Sequence, residues 1–156
     1  MIAPVDDIDR IMAVMSAAFD PANGEAWNRS QLEDALLMAN CHYALIGPDG
    51  AVPPEGQAAA GFSLSRFGYE EEELLLFAIA PDARRLGLGS RLLQNFIAAA
   101  RARGARRIFL EMRAENPAEH LYRRHGFVPI GHRPRYYRTP DGTRLDAITF
   151  ARDCDD

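Results

Sequence analysis

Residues 74–93, LLLFAIAPDARRLGLGSRLL, decide the reading of this 156-residue chain. The apolar run from Leu74 to Ala80 predicts a strand buried on both faces of a sheet, and Pro81-Asp82 ends it. From Leu88 the apolar positions Leu92, Leu93, Phe96, Ile97 and Ala100 keep a helical period, with Gly104 where a C-cap belongs. Between strand and helix stands Arg84-Arg85-Leu86-Gly87-Leu88-Gly89-Ser90. Glycines let backbone approach a ligand closely, and the first N–H groups of a helix lack internal partners. With the positive end of the helix dipole, those donors suit a phosphate. No Gly-Lys-Ser/Thr follows, so the turn is not a Walker motif, and a dinucleotide fingerprint would need a third glycine. On the glycines alone an ordinary strand-to-helix turn is an equal reading; the flanking arginines favour an anion.

Working outward, Ile8, Ile11, Met12, Met15 and Phe19 mark one face of a first helix. The Asp20-Pro21-Ala22-Asn23-Gly24 segment is a loop. Ser30, with Glu33 three residues on, predicts the capping box of a second helix holding Leu32, Leu36 and Leu37. His42 to Ile46 reads as a strand, Gly47 to Gln57 as a surface loop, and Gly61 to Arg66 as a further strand. Downstream come a strand from Arg107 to Met112 and a short helix from Pro117 to His125 closed by Gly126. A strand from Phe127 to His132, a turn at Pro140-Asp141-Gly142 and a last strand from Arg144 to Phe150 complete the chain. The Glu70-Glu71-Glu72 run reads as solvated. Together these describe one α/β domain over residues 1–156 with a mixed sheet.

Composition agrees: 47% hydrophobic and 26% charged residues exclude wholesale disorder. No apolar stretch reaches the roughly 20 residues of a membrane span, and the acidic start does not resemble an export signal. A net charge of -4 argues against a dedicated nucleic-acid binder. Two cysteines, Cys41 and Cys154, make no disulfide framework and no zinc spacing. The expectation is a cytoplasmic protein with neither a metal nor a membrane partner.

Arg84-x-x-Gly87-x-Gly89 after a strand resembles the Q/R-x-x-G-x-G/A signature of the GNAT (GCN5-related) N-acetyltransferases. Leu110-Glu111-Met112-Arg113-Ala114-Glu115-Asn116, running on to Leu121-Tyr122-Arg123-Arg124-His125-Gly126-Phe127, is similar to the ribosomal-protein alanine acetyltransferase (RimI-type) branch of that family. Arg135-Tyr136-Tyr137 with Asp141-Gly142 and Asp146-Ala147, and Trp27-Asn28-Arg29-Ser30-Gln31-Leu32, also resemble that branch. The matches run from Trp27 to Phe150 in the branch's order. The resemblance implies a single-domain GNAT fold, a mixed and mostly antiparallel central sheet with helices on both faces. It also implies acetyl-CoA as co-substrate and a protein N-terminal α-amine, such as that of a ribosomal protein, as acceptor.

By the same resemblance, the backbone of Phe77, Ala78 and Ile79 would hold the pantetheine arm, and Arg84, Arg85, Leu86, Gly87, Leu88, Gly89 and Ser90 would form the pyrophosphate turn. Glu111 matches the branch's general base, with Glu73 as rival. Leu110 and Met112 flank Glu111 and predict an apolar setting for it. Tyr122 matches the acid that protonates the departing thiolate; a phenol keeps its proton at neutral pH. Trp27, Tyr136 and Tyr137 are candidate walls of the acceptor groove. Asn116 to Tyr122 is one residue shorter than the branch's pattern. Asn116 is therefore either a coenzyme contact or the N-cap of a helix opening at Pro117. Family members usually open with a strand, for which only Met1 to Ala3 is available. Two other functions fit the same residues: acetylation of a small amine, polyamine or lysine side chain, and coenzyme A sensing without catalysis.

Overall fold

The computed structural model describes residues 3–21 and 24–154. Six strands form one sheet in the order β1-β2-β3-β4-β6-β5. They are β1 (Cys41–Ile46), β2 (Gly61–Gly68), β3 (Glu71–Ile79), β4 (Arg107–Arg113), β5 (Val128–Arg138) and β6 (Arg144–Asp153). Four helices accompany them: α1 (Val5–Ala18), α2 (Arg29–Leu36), α3 (Leu88–Ala102) and α4 (Glu119–Arg124). Only β3 and β4 pair in parallel; every other neighbouring pair is antiparallel. The right side for each helix follows from the strand period of two. On β1, Leu45 joins α1 and α2 in one buried cluster, while the next residue, Ile46, turns to the opposite face and meets Leu88 and Leu92 of α3. A further cluster joins Leu93, Phe96 and Ala100 of α3 to Ile108, Leu110, Tyr122, Phe127 and Phe150.

The expected cover of Leu74 to Ala80 on both faces holds in part: Leu76 and Ala78 are buried with α1 and α2, while Leu74, Phe77 and Ile79 pack with the clusters beneath α3. Along β3 burial alternates, with Glu72, Leu74, Leu76 and Ala78 inside and Leu75, Phe77 and Ile79 half-covered. The strand also starts earlier, at Glu71, so the acidic run is not simply solvated. Glu72 is fully buried. Its carboxylate accepts from Arg103 Nε at 2.8 Å, from Arg103 Nη2, and from the Ser65 hydroxyl. Removing one partner of a buried pair leaves the other charge uncompensated, which costs roughly 3 kcal/mol. Glu72→Ala should therefore lower stability by about that amount in urea titration; an unchanged midpoint would mean that water replaces the carboxylate.

Other boundaries move for local reasons. Helix α2 is capped by Asn28 rather than Ser30: Asn28 Oδ1 accepts from the Gln31 N–H and Gln31 Oε1 from the Asn28 N–H, both at 2.8 Å. Helix α4 begins at Glu119, after a turn in which Asn116 Oδ1 accepts from the Ala118 N–H at 2.9 Å. Strand β5 runs on to Arg138, because its register against β6 shifts between Arg133 and Tyr137 and pairing then resumes. Cys154 lies in the buried cluster beneath α3 rather than in a polar tail. Of the expected opening strand, Met1 and Ile2 lie outside the described residues and Ala3 is buried without strand pairing. In the Asp20–Gly24 loop, Ala22 and Asn23 likewise lie outside them. The Gly47–Gln57 loop is fixed by Arg10, whose Nη1 donates to the carbonyls of Pro53, Pro54 and Gln57. Among the described residues no helix is long and apolar enough to cross a membrane, and no His/Cys/Asp/Glu group is arranged for a metal.

Candidate active site

The parallel pairing of β3 with β4 stops early. It joins Glu71 to Arg107 and ends at Leu74 opposite Leu110, although β3 continues to Ile79 and β4 to Arg113. Beyond that point the strands part, and one edge of Leu75–Ile79 has no β4 partner for its amides and carbonyls. Such groups need partners. A cavity of about 1000 Å³ opens in the gap, lined by both strands, the loop after α1, the glycine turn, α4 and Tyr137.

The turn is shaped by backbone conformation. Arg85 has φ +67 and Gly87, the N-cap of α3, has φ +77; at Gly87 no side chain pays for the left-handed conformation. A Cβ on Gly89 would lie 3.4 Å from the Leu121 side chain and 3.8 Å from Ile79, ordinary contact distances that place the start of α3 against α4 and the end of β3. The Arg84 guanidinium donates to the Ile79 carbonyl at 3.2 Å and to the Ala18 carbonyl at 3.3 Å, fastening the turn to the ends of β3 and α1. Arg85, Gly87, Leu88, Gly89 and Ser90 line the cavity with Arg84, whereas Leu86 points away and is exposed. Ser90 Oγ lies 3.1 Å from His125 Nε2. Burial and the charges of Arg124 and Arg152 lower the His125 pKa, so the ring is neutral at pH 7.

Tyr122 is only 6% exposed. Its ring is held edge-on between Phe77 and Phe127, with centroids 6.0 and 5.7 Å away. Burial first, then the negative charge of Glu25, raises its pKa well above that of a free phenol. Tyr137 also lines the cavity, its pKa pushed up to about 12 by burial and by Glu111 and Glu25. Tyr136 stacks edge-on against it but faces outward at 49% exposure, under the Arg133 guanidinium.

Glu111 lies on β4 at the rim of the parting strands and lines the cavity. Thr149 Oγ1 is 3.5 Å and Arg133 Nε 3.7 Å from its carboxylate. The apolar flanks expected to enclose it do not: Leu110 and Met112 are buried on the opposite face of β4. Glu73 is not among the lining residues and pairs with Arg66 at 2.7 Å. Trp27 lines the cavity and packs on the first core cluster. Asn116 lines it too, but its side chain is engaged at both ends, by Ala118 and by Glu25 Oε2 at 3.4 Å. Among the lining residues that sequence reasoning misses is an ion pair. Glu25, in the loop before α2, receives Arg113 Nε at 2.9 Å, a pair 88 positions apart in the chain. Arg113 lies within the family-like stretch from Leu110 to Asn116, but nothing local marks Glu25.

A profile of the acetyltransferase (GNAT) family matches residues 9–127. The chain is 40% identical over 93 residues to the [ribosomal protein bS18]-alanine N-acetyltransferase of Escherichia coli (strain K12), covering 59% of this chain and 62% of that protein. It is 32% identical over 97 residues to the protein of the same name from Haemophilus influenzae, covering 62% of this chain and 66% of that protein. The alignments thus span just under two thirds of these relatives' length. The crystal structure of the ribosomal-protein-S18-alanine N-acetyltransferase from Escherichia coli superimposes with a TM-score of 0.80, at 27% identity over 99% of this chain and 92% of that one.

Proposed function

Because this chain belongs to the GNAT acetyltransferase family, we propose that it moves the acetyl group of acetyl-CoA onto the N-terminal α-amine of a protein, a ribosomal protein being the favoured acceptor. The observation that carries this reading is the parting of β3 and β4 directly beside a glycine turn, with a buried phenol in the gap. The fit to acetyl-CoA is good on three counts. The free edge of Phe77, Ala78 and Ile79 suits the pantetheine amides as an added strand would. The apolar side chains of Leu75, Phe77 and Ile79 suit its methylenes. The N–H groups from Arg85 to Ser90, with the arginine charge, suit the pyrophosphate.

In this reading Glu111 takes a proton from the acceptor ammonium, directly or through water, and the amine nitrogen attacks the thioester carbonyl. The C–N bond forms, the C–S bond breaks, and Tyr122 supplies a proton to the sulfur. The ammonium loses two protons in all: the one taken by Glu111 before attack passes on to solvent, and the one the nitrogen sheds as the C–N bond forms balances the one gained by the thiol. Glu73, paired to Arg66 away from the cavity, is the weaker base. Asn116 acts on the turn before α4 and on Glu25.

The test compares an Ala-start peptide, an N-blocked lysine peptide and spermidine with labelled acetyl-CoA. Every basic residue of the chain other than histidine is arginine, so label on the protein itself cannot reside on lysine. Label on the Ala-start peptide is the expected result. Label on spermidine or lysine alone would replace the acceptor, and coenzyme binding without transfer to any amine would mean a sensor.

A further inference from the structure

Three carboxylates line the cavity among the described residues: Asp20, Glu25 and Glu111. Two of them come from the loop between α1 and α2; of the lining arginines, Arg84, Arg85 and Arg124 belong to the turn and to α4, and Arg113 of β4 pairs with Glu25. The cavity therefore has a cationic side at the turn and an acidic loop. An α-amine with pKa near 8 arrives at neutral pH as an ammonium with three donors, so its approach favours the acidic loop.

Within that loop Glu25 is held in place by Arg113 of β4. Its side chain is only 15% exposed, and Arg113 approaches Oε1 through a single nitrogen at 2.9 Å. Among the described residues Oε2 has the long 3.4 Å contact from Asn116 Nδ2, which leaves it able to accept another hydrogen bond. Glu25 lines the same cavity as Tyr122 and Tyr137, and its charge helps raise the pKa of both phenols. Arg113 follows Glu111 by two positions on β4 and shares its face. The pair thus ties the loop acid to the strand that carries the proposed base.

We infer that Glu25 is the acceptor-recognition residue of this site: its Oε2 receives the ammonium of the incoming amine before Glu111 deprotonates it, and Arg113 positions it for that contact. This rests on the acyl-transfer reading of the cavity. It divides the work between two carboxylates, one selecting the cationic acceptor and one accepting its proton. The selectivity it builds in is for an acceptor that carries positive charge at the reacting nitrogen.

The experiment is calorimetry on the full chain saturated with coenzyme A, titrated with an Ala-start pentapeptide and with the same peptide N-acetylated. The free peptide should bind roughly ten- to hundredfold tighter, as expected for a charge-assisted contact. Glu25→Gln keeps the shape of the side chain and should abolish that preference, while raising the acceptor KM and leaving the acetyl-CoA KM unchanged. Arg113→Met separates recognition from mere fastening of the loop. It leaves the Glu25 charge in place but loosens its hold, so the preference should shrink yet persist; a loop tie alone would instead make the two variants equally poor. Thermal midpoints check that both are folded. Equal binding of the two peptides by the wild type, a Gln variant that keeps the preference, or a Met variant that loses it as fully would each overturn the inference. If the preference holds but label never reaches the peptide, the proposed function fails and the assignment of Glu25 stands.

Discussion

Replacing Tyr122 with Phe is expected to lower turnover about 10²- to 10³-fold while coenzyme A still binds, the loss typical of removing one preorganised donor from a developing negative charge. The change keeps the ring, its edge-on contacts with Phe77 and Phe127, and its place in the core beneath α3, so the fold should survive it. What disappears is a hydroxyl that burial and Glu25 keep protonated far above neutrality. A pKa raised this way makes the phenol a weaker acid, so its contribution grows only as the sulfur gains charge in the transition state. That is the differential stabilisation that accelerates a reaction rather than merely holding its substrate. Because the group stays protonated, wild-type turnover should show no alkaline limb from this residue up to about pH 10, the ordinary phenol value. Single-turnover acetyl transfer with calorimetry of coenzyme A decides the matter. A Phe variant with wild-type turnover would remove Tyr122 from the chemistry, and a variant that no longer binds coenzyme A would make its role one of shape.

The parts of this molecule legible in sequence are those whose physics is local. The glycine turn declares itself because Gly87 must adopt a left-handed conformation and because a strand and an amphipathic helix lie on either side. The apolar face of α3 is equally plain, and Leu88, Leu92, Leu93, Phe96 and Ala100 are all buried. What escapes is long-range. Glu72 looks like one acid in a solvated run until Arg103, 31 residues on, reaches it at the end of α3. Glu25 acquires meaning only from Arg113. Asn28 and Ser30 each have a suitable partner three residues later, and local propensity alone does not rank two such boxes.

The reading of β3 is more instructive. Its unbroken apolar run suggests protein on both faces, which it has, yet Leu75, Phe77 and Ile79 are only half-covered and also look onto the cavity. Composition reports that a surface avoids water, not what covers it. A groove for an alkyl chain and a buried strand therefore write the same sequence. The distinction lies in the pairing, which stops at Leu74 and Leu110. No pattern within either strand records that.

The second large effect concerns Glu111. Glu111→Gln should reduce acetyl transfer to an Ala-start peptide at pH 7 by about 10²- to 10⁴-fold, the range for loss of a positioned base. The substitution preserves shape and can still accept from Thr149, 3.5 Å away across β6, so the strand should keep its place. Without a base, the reaction depends on amine that has already lost its proton. For an α-amine with pKa near 8, about one molecule in eleven is neutral at pH 7 and about ten in eleven at pH 9. The variant's rate should therefore climb about tenfold across that interval and level off above it, while the wild type gains less because Glu111 supplies the neutral amine itself. An acceptor of lower pKa should shift the climb downward by the same number of pH units, which a merely structural defect would not do. A loss that stays constant from pH 7 to 9 would deny Glu111 the role of base and leave it to orient the acceptor beside Arg133, 3.7 Å from its carboxylate.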